Sequence, residues 1–129
     1  KGGIIPLREY AKMPYDRDIL VRLIVKKEAA SFDYQSVRNT QTDFPVLTCA
    51  AAKTEAGYRF AIGARPGKAV LFELSNEDMK DKNVENIAEY AAKCVKEQIV
   101  TGSNTRGSAE YRNHLAGVLV RRAVCKLGE

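Results

Sequence analysis

Val84-Glu85-Asn86-Ile87-Ala88-Glu89-Tyr90-Ala91-Ala92-Lys93-Cys94-Val95-Lys96-Glu97-Gln98-Ile99-Val100 is the stretch that decides the fold. Val84, Ile87, Ala88, Ala91, Cys94, Val95 and Ile99 recur at spacings of three and four, which predicts an amphipathic helix over 84–100 with one face on a sheet. Downstream, a second helix is predicted from about Ala109 to Leu127, with Tyr111, Leu115, Val118, Leu119 and Ala123 inward and Gly128 closing its end. Arg121, Arg122 and Lys126 fall in its last turns, where cations oppose the negative end of the helix dipole.

Upstream of the polar stretch from Ser75 to Asn83 the pattern changes to strands. Asp18 to Lys26 is a short β-branched run bounded by charge and predicts a first strand. Phe32, Tyr34 and Ser36 alternate with Asp33, Gln35 and Val37 in a second, which ends in the polar loop Arg38-Asn39-Thr40-Gln41-Thr42-Asp43. Phe44 to Lys53 and Tyr58 to Ala64 flank Thr54-Glu55-Ala56-Gly57 as a hairpin. Ala69 to Leu74 follows the turn Arg65-Pro66-Gly67-Lys68. Strands first and helices second give an α+β fold: an antiparallel sheet of three to five strands packed against C-terminal helices in a two-layer sandwich.

A chain of 129 residues with 45% hydrophobic content buries one core and hardly two, so one domain is expected. No stretch approaches the roughly 20 apolar residues of a membrane span, and the opening residues lack a secretory apolar run. A soluble, cytoplasmic protein is the expectation. The net charge of +5 is scattered among acidic residues, without a basic run interleaved with aromatics, which argues against nucleic acid and fits docking on an acidic neighbour. Cys49, Cys94 and Cys125 are distant from one another and set in apolar surroundings, and they read as reduced, mostly buried thiols.

Several motifs fail on inspection. Gly63-Ala64-Arg65-Pro66-Gly67-Lys68 lacks the glycine spacing, the following Ser/Thr and the helix of a phosphate loop. Gly102-Ser103-Asn104-Thr105-Arg106-Gly107-Ser108 precedes a helix and could meet an anion there, but a capping loop using Ser108 is the favoured reading. His114 is the single histidine and has no Cys or His at ligand spacing, so neither a zinc site nor a histidine-based triad is expected. Glu73, Glu77, Asp78, Asp81, Glu85 and Glu89 mark a solvated face. No catalytic residue is assigned.

One longer pattern remains. Arg106-Gly107-Ser108-Ala109-Glu110-Tyr111-Arg112-Asn113-His114-Leu115-Ala116-Gly117-Val118-Leu119-Val120-Arg121-Arg122-Ala123 resembles the closing helix of the C-terminal domain of the FAD-binding subunit in xanthine dehydrogenase and carbon monoxide dehydrogenase relatives. The family reads Arg-Gly-Ser-Ala-Glu-Tyr-Arg-Arg-His-Leu, so Asn113 departs from it, at a position expected to be exposed. Asp18 to Lys27 resembles the family's opening strand without its proline near Val25. Arg38 with Asp43-Phe44-Pro45 resembles its arginine-containing loop, and Gly63-Ala64-Arg65-Pro66 with Ala69-Val70 the turn that follows. The segments keep the family's order and cover about Leu7 to Lys126.

The resemblance implies a division into a linker, 1–17, from a preceding FAD-binding domain, and a C-terminal domain, 18–129. It also implies a role. In such enzymes electrons pass from a molybdenum–pterin centre through iron–sulfur clusters to FAD, and then to NAD or another acceptor, and the protein positions the ring. The molybdenum and iron–sulfur groups sit on partner subunits. Most FAD contacts belong to the preceding domain with its Gly-rich pyrophosphate loop, which this sequence lacks. The isolated chain is therefore expected to be inactive. The family's loop beside the isoalloxazine matches 38–43, which makes Arg38, Asn39, Thr40, Thr42 and Asp43 the candidate cofactor-binding residues. A family lysine ahead of that loop has no counterpart, since Asp33 and Tyr34 occupy its place. A purely structural module for subunit assembly, touching no FAD, is the alternative.

Overall fold

The structure is a computed structural model that describes residues 3–14, 19–27 and 29–128. After a single helical turn, α1 (Leu7–Tyr10), come β1 (Ser31–Val37), β2 (Leu47–Thr54), β3 (Gly57–Gly63), β4 (Val70–Ser75), α2 (Val84–Gln98) and α3 (Ala109–Gly128). The four strands form one antiparallel sheet in sequence order, β1-β2-β3-β4. This is the α+β sandwich of sheet and C-terminal helices that the sequence predicts.

Alternation along each strand divides the sheet into two faces. Leu47, Cys49, Ala51, Tyr58, Phe60, Ile62, Phe72 and Leu74 point inward and are buried. Tyr58, Phe60 and Phe72 stack across β3 and β4, with centroids 6.0 and 5.6 Å apart. Leu119, Val120, Ala123 and Val124 of α3 complete the core. Helix α3 lies on β1 and β2, whereas α2 packs chiefly on α3 and only lightly on β4. The expected contact of the first long helix with the sheet is thus mostly replaced by a helix–helix contact. Gly117 makes it close: a Cβ there would meet the Lys96 side chain and sit 3.3 Å from the Ala92 carbonyl oxygen.

The turns follow their chemistry. Gly57, at φ +130°, closes the β2–β3 hairpin, and its absent Cβ leaves room for the Leu74 carbonyl. Asn83 caps α2 by accepting the Asn86 N–H at 2.8 Å. The Arg65–Lys68 turn binds no phosphate-loop helix. It anchors the α2–α3 connection instead, with Arg65 Nη1 donating to Val100 O at 2.6 Å and Gly102 N to Arg65 O at 2.6 Å.

Three expectations need correction. Residues 19–26 join no strand, and Asp18 lies outside the described residues; β-branched composition supplies propensity, but a strand exists only with a partner to pair with. Tyr111 is 45% exposed, and Arg112 takes the inward place beside it at 0%. Hydrophobic spacing could not foresee this, because the buried side chain is the charged one. Asn113 is half-buried rather than exposed, and its Nδ2 donates to Lys96 O at 2.8 Å, satisfying a carbonyl near the end of α2.

Among the charged groups of the described residues, Asp33 on β1 is the buried carboxylate. Lys126 Nζ lies 2.5 Å from its Oδ1, and Gln35 Nε2 donates to Oδ2 at 2.6 Å. The lysine holds the Asp33 carboxyl below its ordinary range against the opposing effect of burial. Lys126 therefore ties the end of α3 to the sheet, beyond the dipole role read from its position.

Candidate functional site

All five sequence-predicted residues lie in the exposed connection from β1 to β2, and that connection is built against the loop before α3. Within it, Arg38 Nη1 donates to Asp43 O at 2.7 Å, Asp43 N to Thr40 O at 3.2 Å and Phe44 N to Asp43 Oδ1 at 2.7 Å. Across to the other loop, Arg106 Nε reaches Asp43 Oδ1 at 3.0 Å and Asn39 Nδ2 donates to Arg106 O at 3.2 Å. The Arg106 guanidinium also stands 5.3 Å from the ring centre of Phe44. Arg38, Asn39 and Asp43 thus engage the protein itself, while no protein group bonds the hydroxyls of Thr40 and Thr42 among the described residues.

Beneath the loops sits Arg112. Its Nε donates to Val46 O at 2.9 Å, its Nη1 to Gly102 O at 2.8 Å and to Gly107 O, and its Nη2 to Asn104 Oδ1 at 2.5 Å. Four acceptors around a planar fork with five N–H groups leave little of the guanidinium unsatisfied, which is what permits its burial. Burial pulls its pKa down, and the charge of Arg106 adds to that. Gly107 fits tightly beside it: a Cβ would lie 3.2 Å from Val46 Cγ1 and 3.4 Å from Tyr111 Cδ1. Ser108 accepts the Tyr111 N–H at 3.1 Å, and Ser103 the Ala109 N–H at 2.9 Å, so this loop caps α3 as the simpler reading had it.

The rim presents two guanidinium groups, two free hydroxyls and the ring of Phe44, 74% exposed. It does not present an acid or base for proton transfer, because the hydrogen bond from Arg106 keeps the Asp43 carboxyl ionised below its ordinary pKa. Nor is a nucleophile at hand. Cys49 is buried in the core, and burial pushes its thiol up to about 12. Among the described residues no group of three or more His, Cys, Asp and Glu could hold a metal ion. A shallow groove lies elsewhere, between α2 and α3, lined by Glu89, Lys93, Lys96 and Arg121.

Residues 32–127, strands and helices together, match the model of the CO dehydrogenase flavoprotein C-terminal domain. The chain belongs to that family. Arg106 to Ala123, the segment that carries the resemblance, holds both the loop clamp and the helix that covers the sheet. YgfM of Escherichia coli K12, an uncharacterized protein, is 29% identical over 120 residues, which is 92% of this chain and 44% of that one. The chain thus spans less than half the length of this curated relative. Quinoline 2-oxidoreductase from Pseudomonas putida 86 shares the fold at a TM-score of 0.63 and 20% identity, over 78% of this chain and 38% of that one. A Cu,Mo-CO dehydrogenase in its cyanide-inactivated form does so at 0.60 and 18%, over 81% and 38%. Carbon monoxide dehydrogenase from Hydrogenophaga pseudoflava does so at 0.58 and 17%, over 80% and 38%.

Sequence reading missed Arg106 and Phe44 as members of the rim. Arg106 was visible as the first residue of the family segment, but only the fold brings it 63 positions back to Asp43. No helix of the structure, among the described residues, is long and apolar enough to cross a membrane.

Proposed function

We propose that this chain is the C-terminal domain of the flavin-carrying subunit of a xanthine dehydrogenase-type molybdenum hydroxylase, and that its Arg38–Asp43 loop with Arg106 borders the flavin. The supporting observation is the locked pair of loops: two guanidinium groups and the unpartnered hydroxyls of Thr40 and Thr42 on a rim where Arg38, Asn39, Asp43 and Arg106 are already fixed. That donor set fits the carbonyl oxygens and ring nitrogens of an isoalloxazine edge, and it does not form a pyrophosphate cradle. FAD, when bound, takes electrons from the iron–sulfur clusters and gives them to NAD or another acceptor. The chain's part is to orient the ring by hydrogen bonds from Thr40, Thr42 and the arginines, and to keep water from one edge of it. Asp43 contributes by holding Arg106 in place. A molybdenum subunit and an iron–sulfur subunit are the partners, and the cytoplasm the location, under the same reading; 1–17 is then the linker from the FAD-binding domain and 18–129 the C-terminal domain.

A second reading has its own observation. Arg38, Asn39 and Asp43 find their partners within the protein, Arg38 on Asp43 O and the other two on Arg106, as a loop that serves only assembly would. Replacing both Thr40 and Thr42 by Ala separates the two readings, because neither hydroxyl supports the loop. At about 0.5–1.5 kcal/mol for each lost hydrogen bond, the double variant of the flavin-carrying subunit should bind FAD some fivefold to a hundredfold more weakly. Turnover with the natural acceptor should fall, while turnover with a dye that takes electrons ahead of the flavin holds. The 129-residue chain by itself should be colourless. Unchanged FAD affinity, flavin potential and turnover in a folded double variant would establish the assembly module instead.

A further inference from the structure

Helices α2 and α3 cover one face of the sheet and leave the other open. Its register places Phe32 opposite Ala52 and Tyr34 opposite Ala50, with Ala50 opposite Ala61 and Ala61 opposite Leu71. Side chains directly opposite share a face, so these six form one continuous apolar strip from edge to edge, on the side away from α3. Phe32 is 69% exposed, Tyr34 61% and Leu71 41%. A solvated sheet face ordinarily carries polar residues at these alternate positions. Here the sheet's own charges are Arg59 and Glu73, paired 3.1 Å apart at one end.

We propose that this face is where the preceding, flavin-carrying half of the same subunit packs, adding a third layer to the sandwich; the identity of that occupant rests on the function proposed above. Alanines on β2 and β3 let a facing layer come close, while Phe32 and Tyr34 on β1 and Leu71 on β4 wall it in. Contiguous apolar surface of this kind marks a contact site. The strip carries no charge and the arginines at its end are paired with Glu73, which suits an apolar protein layer and opposes nucleic acid or anionic lipid, which would need unpaired cations.

Two observations select the occupant. The family is defined as a C-terminal domain and this chain spans 44% of YgfM, so in such relatives most of the remaining chain precedes it. The upstream segment also passes this side. Arg8 of α1 lies 3.6 Å from Glu73 on the open face, and Lys68 Nζ donates to Met13 O at 2.8 Å beside β4. Beyond them Leu20, Val21, Leu23, Ile24 and Val25 are all exposed, a second set of apolar side chains that the same layer would cover. Residues 20–26, which belong to no strand of this sheet, would be covered by the same layer.

Carbene footprinting of the whole subunit, purified free of partner subunits, tests this by mass spectrometry. Labelling of Phe32, Tyr34 and Leu71, scaled to the exposure each has here, should be at least fivefold below that of Val100, which is 78% exposed on the helix side of the domain. Labelling equal to that of Val100 would overturn the proposal. Protection that disappears when a dimeric subunit is diluted to monomer would also overturn it, since the cover would then be a second copy. Flavin content measured on the same sample keeps the two ideas apart. Bound flavin with a fully labelled face sinks the docking surface alone, and a protected face without flavin sinks the flavin reading alone.

Discussion

Arg112→Ala is the substitution with the largest consequence worked from this structure. It removes four hydrogen bonds and leaves the acceptors in place. Val46 O, on a residue with no exposed surface, would stay buried without a donor, at a cost of about 1–3 kcal/mol. Gly102 and Gly107 are half-buried, so water reaches their carbonyls and together they add about 1 kcal/mol. Loss of packing by the long side chain adds about 1–2 kcal/mol, and release of a buried charge returns part of the total. The net is about 4 kcal/mol. With a urea slope of about 2 kcal/mol per molar, the midpoint falls by about 2 M, read by circular dichroism or tyrosine fluorescence, since the chain has no tryptophan. Arg112→Lys keeps the charge without the fork, so it should lie between, at about 1 M. A midpoint shift under about 0.5 M for the alanine variant would refute the clamp, showing that solvent serves these carbonyls as well as the guanidinium does.

Gly117→Leu should lower stability by about 1–3 kcal/mol, because the added side chain meets Lys96 and the Ala92 carbonyl across the α2–α3 contact; an unchanged melting temperature would contradict that packing. The folded-state pKa of Asp33 is lowered, so its contribution is present above the ordinary 3.8 and is lost as pH falls through the folded value. Stability of the wild type should therefore fall more steeply with acid below about pH 4 than that of Asp33→Asn, as followed by urea midpoints at each pH. The Cys49 thiol is raised from 9.0 to about 12, so the stability it lends is complete below pH 9 and fades between 9 and 12. At neutral pH Cys49 should resist iodoacetamide in the folded chain and react on denaturation, as peptide mapping would show; rapid native alkylation would be the contrary result.

Periodicity carried most of the fold. The strands from Ser31 to Ser75 and both long helices are legible because Phe60, Ile62 and Phe72, or Ala88, Ala91 and Val95, recur at the period of their element. Residues 19–26 have the same local quality as a strand, yet strand pairing is decided by what lies alongside, and no single segment reports that. Arg112 was illegible for a different reason. A buried guanidinium follows from four oxygens supplied by positions 46, 102, 104 and 107, and hydrophobic spacing is silent about such a convergence. At the site, the polar loop 38–43 could be located, but not its counterpart: Arg106 joins it only because α3 folds back across the start of β2.

The Arg112 clamp also fixes an order of events. Its bond to Val46 O closes a separation of 66 residues, so it forms only after α3 has docked on the sheet. The two rim loops therefore come together only once the last helix is in place, although 38–43 also holds local bonds of its own. Their amide protons should exchange with solvent at the rate at which α3 lifts away, far slower than their exposure suggests. The rim thus reports on the domain behind it: its two loops meet only when α3 is in place.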